Sequence, residues 1–443
     1  MSPAATALSS RVAAEYATLS ESALSPFLPG ERRRGALARL REEGLPTARD
    51  DNWRYANLRA LERVKFLPAP QAADTPELLA GITAALPPPV EDFERHVFAD
   101  GRYVAALSAL PAPRGAASAL VHSLAQSEPL AAGDTATADE RLALLSDVFA
   151  SDGAGILVPA NRATPARIEL IFVAGADASA GASYPRIELK VADGAQLELI
   201  ERHLSLADAA SFVNCSVRVS LGRGATLTHY RVQQLGGRSI WFDTLQAALG
   251  DHARYQLHCV QMGAQTGRST QRISLAGAAA SLGLYAVAAA DRQQVHDTYA
   301  LVEHAAPRTR TEELFRGIAA GRSRVAFNGK IVVRPGAQGA DSSQSLRGLL
   351  AGPESEIDVR PQLEIYTDDV RCNHGATAGK LDDAMLFYLL TRGIDPEVAR
   401  RLLKWAFIED AVSRIAVPAL RRQLEASLAG ALPEAEALKE LLA

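Results

Sequence analysis

The stretch TDDVRCNHGATAGKLDDAMLF, from Thr367 to Phe387, gathers residue types that can do chemistry. Cys372 and His374 stand two apart. On an extended segment they share a face, with side-chain roots roughly 6.5–7 Å apart, so both can reach one soft metal. Asp368 falls on the same face of such a strand. A thiolate and an imidazole suit zinc or an iron–sulfur species. Two or three ligands do not close a site, so a second chain would have to complete it. The competing reading is packing, because a lone cysteine is also a small buried hydrophobe. Residue chemistry leaves both open.

Other candidates carry less. Asp368 and Asp369 are adjacent, and neighbours on a strand point to opposite faces, which favours a polar strand end over a carboxylate pair. GATAGK at 375–380 has one residue too few between its glycines for a phosphate loop. It also has Leu381 where Ser or Thr would hold magnesium. Cys215 and Cys259 lie inside strand patterns and read as core. His229 and His258 also take strand positions. His229 replaces an apolar residue and is expected to be a hydrogen-bonded core histidine. A Cys–His nucleophile pair would lack an orienting third group and an oxyanion hole.

The elements that must position these residues are read from the whole chain. Its 443 residues are 48% hydrophobic and 22% charged, as in a globular protein of two or three domains. A net charge of −4 gives no field for nucleic acid or an acidic membrane. Arg32, Arg33 and Arg34 read as the solvated face of a short helix. Three widely spaced cysteines with no C-x-x-C argue against a disulfide framework and against a self-contained zinc site. The N-terminal residues have no secretory pattern, and no run is long enough to span a membrane. A reduced, cytoplasmic protein is expected.

The first part, 1–154, reads as mostly helical. A helix over 31–43 stops at Gly44. A short helix follows that carries Trp53, Leu58 and Leu61, capped by Asp51 or Asn52. A Pro- and Ala-rich linker around one short helix spans 68–89. Asp100–Gly101 makes a hairpin turn, and another helix covers 134–150. From about 155 to about 366, apolar residues alternate behind a recurring small residue: Ala195, Ala225, Ala253, Ala280, Ser323 and Ser355. The gaps are 30, 28, 27, 43 and 32 residues. A period near 30 with alternation of two predicts a parallel β-helix with a glycine-marked corner, and the 43-residue gap reads as an irregular excursion. The part from 367 to 443 reads as helical. Asp382 or Asp383 caps one helix that stops at Gly393, and Asp395 with Pro396 starts the next. Val398, Leu402, Ala406 and Phe407 share one face of it. Pro418 opens a third helix, and a fourth ends the chain. Periodicity does not say whether this tail docks on its own β-helix or on another protein.

Three longer stretches carry a resemblance. They are AFNGKIVVRPGAQGADSSQSLRGLLAG (326–352), PQLEIYTDDVRCNHGATAGKLDDAMLFYLLTRGIDPEVARRLLKWAFIEDAV (361–412) and DNWRYANL (51–58). With them the chain resembles the SufB/SufD family of the SUF iron–sulfur assembly system, and within it the SufD branch. The resemblance implies a right-handed parallel β-helix core flanked by helical N- and C-terminal domains. It implies a non-catalytic scaffold for de novo cluster assembly and iron acquisition, paired with SufB through the β-helices. It also implies binding of the ATPase SufC through the C-terminal helices, where Leu386, Phe387, Arg392, Lys404, Trp405 and Phe407 are candidate contacts. The family motif C-S-H-G-A-T falls on 372–377, with Asn373 in place of Ser. It places His374 opposite a SufB cysteine and Cys372 at the same interface, where a transient iron–sulfur cluster forms. A flavin belongs, in this family, to the assembled complex only, and a homodimer is the expected state in isolation. The alternatives are a β-helix glycan lyase or hydrolase, and the sister subunit SufB, which would carry more core cysteines than Cys215 and Cys259.

Overall fold

Apolar and polar residues alternate along strands of about ten residues, and stacking these strands buries one face of each. The computed structural model describes residues 3–19, 27–70, 75–108, 120–126, 137–160, 162, 164–175, 181–206 and 210–431. The chain winds through two sheets, and from Arg186–Val191 onward successive strands fall alternately in one and the other. In the first sheet Gln196, Thr226, Arg254, Ser281, Arg310, Asp341 and Arg371 are successive register partners. In the second, Phe212, Ile240, Thr266, Val295, Arg324 and Glu356 follow one another in the same way. All these pairs are parallel, so the fold is a parallel β-solenoid with helices toward both termini.

The inward columns form one apolar core. Leu197, Leu227, Tyr255 and Leu282 stack in register and are buried. They join Val217, Leu245, Ile273, Phe327 and others from the opposite sheet. Burying each such side chain contributes about 1.5–3 kcal/mol, which offsets the entropy of fixing so many extended residues.

The coil period is more even than the sequence spacing suggested. The 43-residue gap contains no excursion. Between Ala280 and Ser323 it holds three regular strands, Ser281–Ala290 and Arg310–Ala319 of the first sheet and Val295–His304 of the second. Ser323 and Ser355 open second-sheet strands, whereas the other four anchors open first-sheet strands. The corners before six first-sheet strands, from Gln196–Ser205 to Ala340–Leu350, each have a left-handed residue: Gly194 and Gly224, then His252, Ala279 and Arg308, then Gly339. Backbone bonds pass from coil to coil here, as from Gly224 N to Asp251 O (2.7 Å) and from Ala279 N to Pro307 O (3.0 Å). These bonds hold three non-glycine residues in a conformation that costs roughly 1–2 kcal/mol each, so glycine marks only half of the corners.

Strands extend past 155–366 on both sides. Glu94–Ala99 pairs in parallel with Ala166–Ala174 and turns at Asp100–Gly101 into Arg102–Tyr103, the expected hairpin. Val370–Gly379 is the last strand of the first sheet.

Helices cover the outer faces. α1 (Pro3–Tyr16), α2 (Gly30–Glu43), α3 (Pro76–Ala85) and α4 (Ala143–Phe149) precede or open the solenoid. Gly44 ends α2 at φ 75. Trp53 and Leu61 sit in two 3-10 turns, Asp51–Trp53 and Leu58–Arg63. Asp50 is the residue before the first turn; its carboxylate accepts from Thr47 N instead of capping. Trp53 stacks on Phe242 of the second sheet (6.5 Å). Arg33 is not on a solvated face: it is buried and donates to the carbonyls of Leu28 (3.0 Å), Val148 (2.8 Å) and Ala150 (2.9 Å). Of the helix expected over 134–150, Thr137 and Glu140 form a capping box ahead of α4, and 134–136 lie outside the described residues.

α5 (Asp383–Thr391), α6 (Pro396–Val412) and α7 (Pro418–Ala431) follow the last strand. The tail docks on its own solenoid. Ile408, Ala411, Val412, Leu420, Leu424 and Leu428 close over Ile200, Tyr230, Val260, Val287 and Ile318 of the first sheet. Arg414 pairs with Glu312 (3.0 Å), and Arg316 pairs with Asp410. The buried side of α6 runs through Ala399, Arg401, Lys404, Ile408, Ala411 and Val412, while Ala406 is exposed. The face expected through Val398, Leu402 and Ala406 is displaced because two long basic stems lie under the helix. The fourth helix expected at the chain end lies outside the described residues.

Candidate functional site

The solenoid ends on two strands, Val370–Gly379 and Glu356–Ile365, each paired on one side only among the described residues. Their outer edges present a row of free N–H and C=O groups. In the last strand, Cys372 is the register partner of Ser342, and His374 of Gln344. Ser342 and Gln344 are buried and inward-facing. Cys372 and His374 therefore continue two interior columns into the coil where no further coil covers them. Cys372 is half-buried against the main core, and His374 is exposed. The two do share a face. Asp368 does not join them: it lies in the bend before the strand, where its carbonyl accepts from Val370 N (3.1 Å).

Beneath this end is a polar pocket of side chains that spacing alone did not reveal. Gln344 Nε2 donates to Glu313 Oε2 (2.7 Å) and to the carbonyl of Gly329 (3.1 Å). A Cβ at Gly329 would sit 2.8 Å from both side chains, so the glycine makes room for the pair. Glu313 Oε1, Gln344 Oε1 and Ser342 Oγ are buried without partners. Burial pushes the Glu313 carboxyl up to about 7, against a smaller lowering from the Gln344 hydrogen bond. An inward polar residue on each of two neighbouring strands, Glu313 and Gln344, was the available signal. It required the true coil register to be seen.

Apolar side chains surround the open end. Ile365, Tyr366, Met385, Phe387, Tyr388 and Leu390 are exposed, Phe387 to 67%. Of the candidate partner contacts, Phe387 and Arg392 are exposed and Leu386 half-buried. Trp405 and Phe407 rest half-buried against the core under the tail, and Lys404 is buried. GATAGK forms the end of the last strand, and α5 begins later, with Asp382 Oδ1 accepting from Ala384 N (2.8 Å) and Met385 N (3.2 Å). Cys215 and Cys259 are buried in the interior. His229 is hydrogen-bonded there to Tyr255 (3.1 Å) and Glu201 (3.0 Å). His258 is on the other face, its ring between Tyr230 and Tyr285 at 5.0 Å from each, and burial lowers its pKa to about 4.

Fold and site together define a β-solenoid protein whose open terminal coil carries a cysteine and a histidine on one face. The model of the SUF system FeS cluster assembly SufBD core domain matches residues 172–407. The chain belongs to this family of iron–sulfur cluster assembly proteins. It is 29% identical to the iron-sulfur cluster assembly protein SufD of Escherichia coli, over 90% of this chain and 92% of that one. It is 28% identical to a SufBD family protein of Synechocystis, slr0076, over 89% of each chain. A chloroplastic protein of Arabidopsis thaliana, ABCI7, is 28% identical over 56% of this chain and 53% of its own. Among the described residues no helix is long and apolar enough to cross a membrane.

Proposed function

We propose that this chain is the SufD-type subunit of a SUF complex: a non-catalytic scaffold that pairs with a SufB-type chain and carries a SufC-type ATPase on its C-terminal helices. One observation supports this reading most. The inward columns of the solenoid end in Cys372 and His374 on an uncovered strand, beside exposed apolar residues. A second solenoid set against that edge would complete the strand pairing and bring further ligands to the two side chains. The iron–sulfur cluster is then cargo formed transiently between chains. His374 is the exposed ligand and Cys372 the recessed one. Helix α5 and its C-cap carry Leu386, Phe387 and Arg392 as ATPase contacts, with Lys404, Trp405 and Phe407 of α6 behind them. A flavin belongs with the assembled complex, and the cytoplasm or an organelle stroma is the working compartment.

The test is native mass spectrometry of the chain, captured gently from its own cells. A heteromer with a second SufBD-family chain and ATPase chains is expected. A lone chain of 47.1 kDa, or a homodimer without ATPase, would remove the scaffold reading.

A further inference from the structure

A second group of ligand-type side chains lies deep inside the solenoid. Glu201 and His203 come from Gln196–Ser205 of the first sheet, and Cys215 from Phe212–Leu221 of the second. One carboxylate oxygen, one imidazole nitrogen and the Cys215 Sγ lie within 4.8 Å of one another. All three residues are buried. We propose that Glu201, His203 and Cys215 form a metal site that holds one borderline-soft divalent cation, zinc or ferrous iron, within the solenoid.

The surroundings orient the carboxylate as a ligand requires. Glu201 Oε2 accepts from His229 Nε2 (3.0 Å) and Arg231 Nε (2.9 Å), and Oε1 accepts from Arg231 Nη2 (2.7 Å). Arg231 Nη1 is anchored in turn by Asp243 Oδ2 (2.6 Å), and His229 Nδ1 by the Tyr255 hydroxyl (3.1 Å). Hydrogen-bonded carboxylates of this kind are typical of metal ligands. Glu201 Oε1 also faces His203 Nε2 at 2.7 Å. Two further polar atoms at the cluster have no partner: His203 Nδ1 and Asp243 Oδ1, on side chains that are nine-tenths or more buried. Asp243 is the register partner of Cys215. A cavity of about 10 Å³ lined by His203, Arg231, Trp241, Cys259, Gln261 and Ser269 adjoins the group.

Chemistry supplies the second argument. A dication bound here takes the place of the Cys215 thiol proton and of the contact between His203 Nε2 and Glu201 Oε1. Carboxylate, imidazole and thiolate together suit zinc or ferrous iron better than magnesium or calcium. The cation enters as the chain folds, since its ligands come together only in the coiled state. Six strand spacings separate this site from Val370–Gly379, about 29 Å, so it stands or falls independently of the open end.

The experiment uses the full-length chain. Elemental analysis of the purified, unstripped protein is expected to find close to one zinc or iron per chain. After metal removal in denaturant with chelator and anaerobic refolding, cobalt(II) is expected to bind and give a thiolate-to-cobalt charge-transfer band. That band should persist when Cys372→Ala and His374→Ala are combined, and vanish in Cys215→Ser. His203→Gln keeps the side chain's bulk and a donor toward Glu201. It is expected to weaken cobalt binding at least about tenfold while the far-ultraviolet circular dichroism stays native. Substoichiometric traces of metal in the unstripped chain would overturn the proposal. So would a cobalt band that survives Cys215→Ser and is lost with Cys372→Ala.

Discussion

Gln344 donates to Glu313 at 2.7 Å inside the last covered coil, and this single bond is the nearest partner that a buried carboxyl has there. Burial raises the Glu313 pKa from 4.5 to about 7. The folded state therefore holds the proton more tightly than the unfolded chain. Stability from this group is fully present below about pH 4.5 and falls as pH rises to about 7, beyond which the loss is complete. The shift corresponds to about 3 kcal/mol. Urea unfolding of the wild type from about pH 5 to about pH 8 should lose more stability than Glu313→Gln does over the same span. Parallel pH profiles for the two proteins would show that Glu313 is not held neutral.

Gly277 sits at a corner where coils touch backbone to backbone. A Cβ there would run into Asp251 N and the Gly250 carbonyl carbon, neither of which can swing aside. Gly277→Ala should cost roughly 1–3 kcal/mol, read as a lower denaturation midpoint. Gly224→Ala tests a different term. Open space surrounds its Cβ position, but φ is +64, so the strain is confined to the backbone and a smaller loss, about 1 kcal/mol, is expected.

The tail is held to the first sheet by a shared apolar layer. Leu424 is fully buried in it. Leu424→Glu should release α6 and α7 while leaving the solenoid coiled. Limited proteolysis is then expected to cut after residue 379 and yield a stable β-rich fragment. Resistance equal to the wild type would place the tail's anchorage elsewhere.

The coiled architecture was legible because alternation and a period near 30 are both local signals, repeated many times. What escaped was the assignment of strands to sheets. Ser323 was grouped with Ala280 although they open strands of different sheets, and the strand that should have followed, at Arg310, begins after a left-handed arginine instead of a glycine. With the register shifted, Glu313 and Gln344 could not be seen to stack, nor Glu201 and His203 to meet Cys215. Arg33 misled for another reason. A charge run looks solvated until the carbonyls of nearby Leu28 and of Val148 and Ala150 at the end of α4 converge on one guanidinium. Cys372 and His374 were legible because their relation depends only on two-residue alternation. Asp368 was lost to a bend one residue before the strand begins.

On the proposed scaffold role, His374 on the uncovered last strand serves the cluster that a SUF complex assembles. The direct measurement is anaerobic cluster reconstitution on the purified complex carrying His374→Ala, with iron, sulfide and visible absorption quantified per complex. The expected result is an intact complex by native mass with cluster yield reduced several-fold, and a smaller reduction for Cys372→Ala, whose side chain is recessed against the core. An intact His374→Ala complex that forms clusters at the wild-type level would contradict the account.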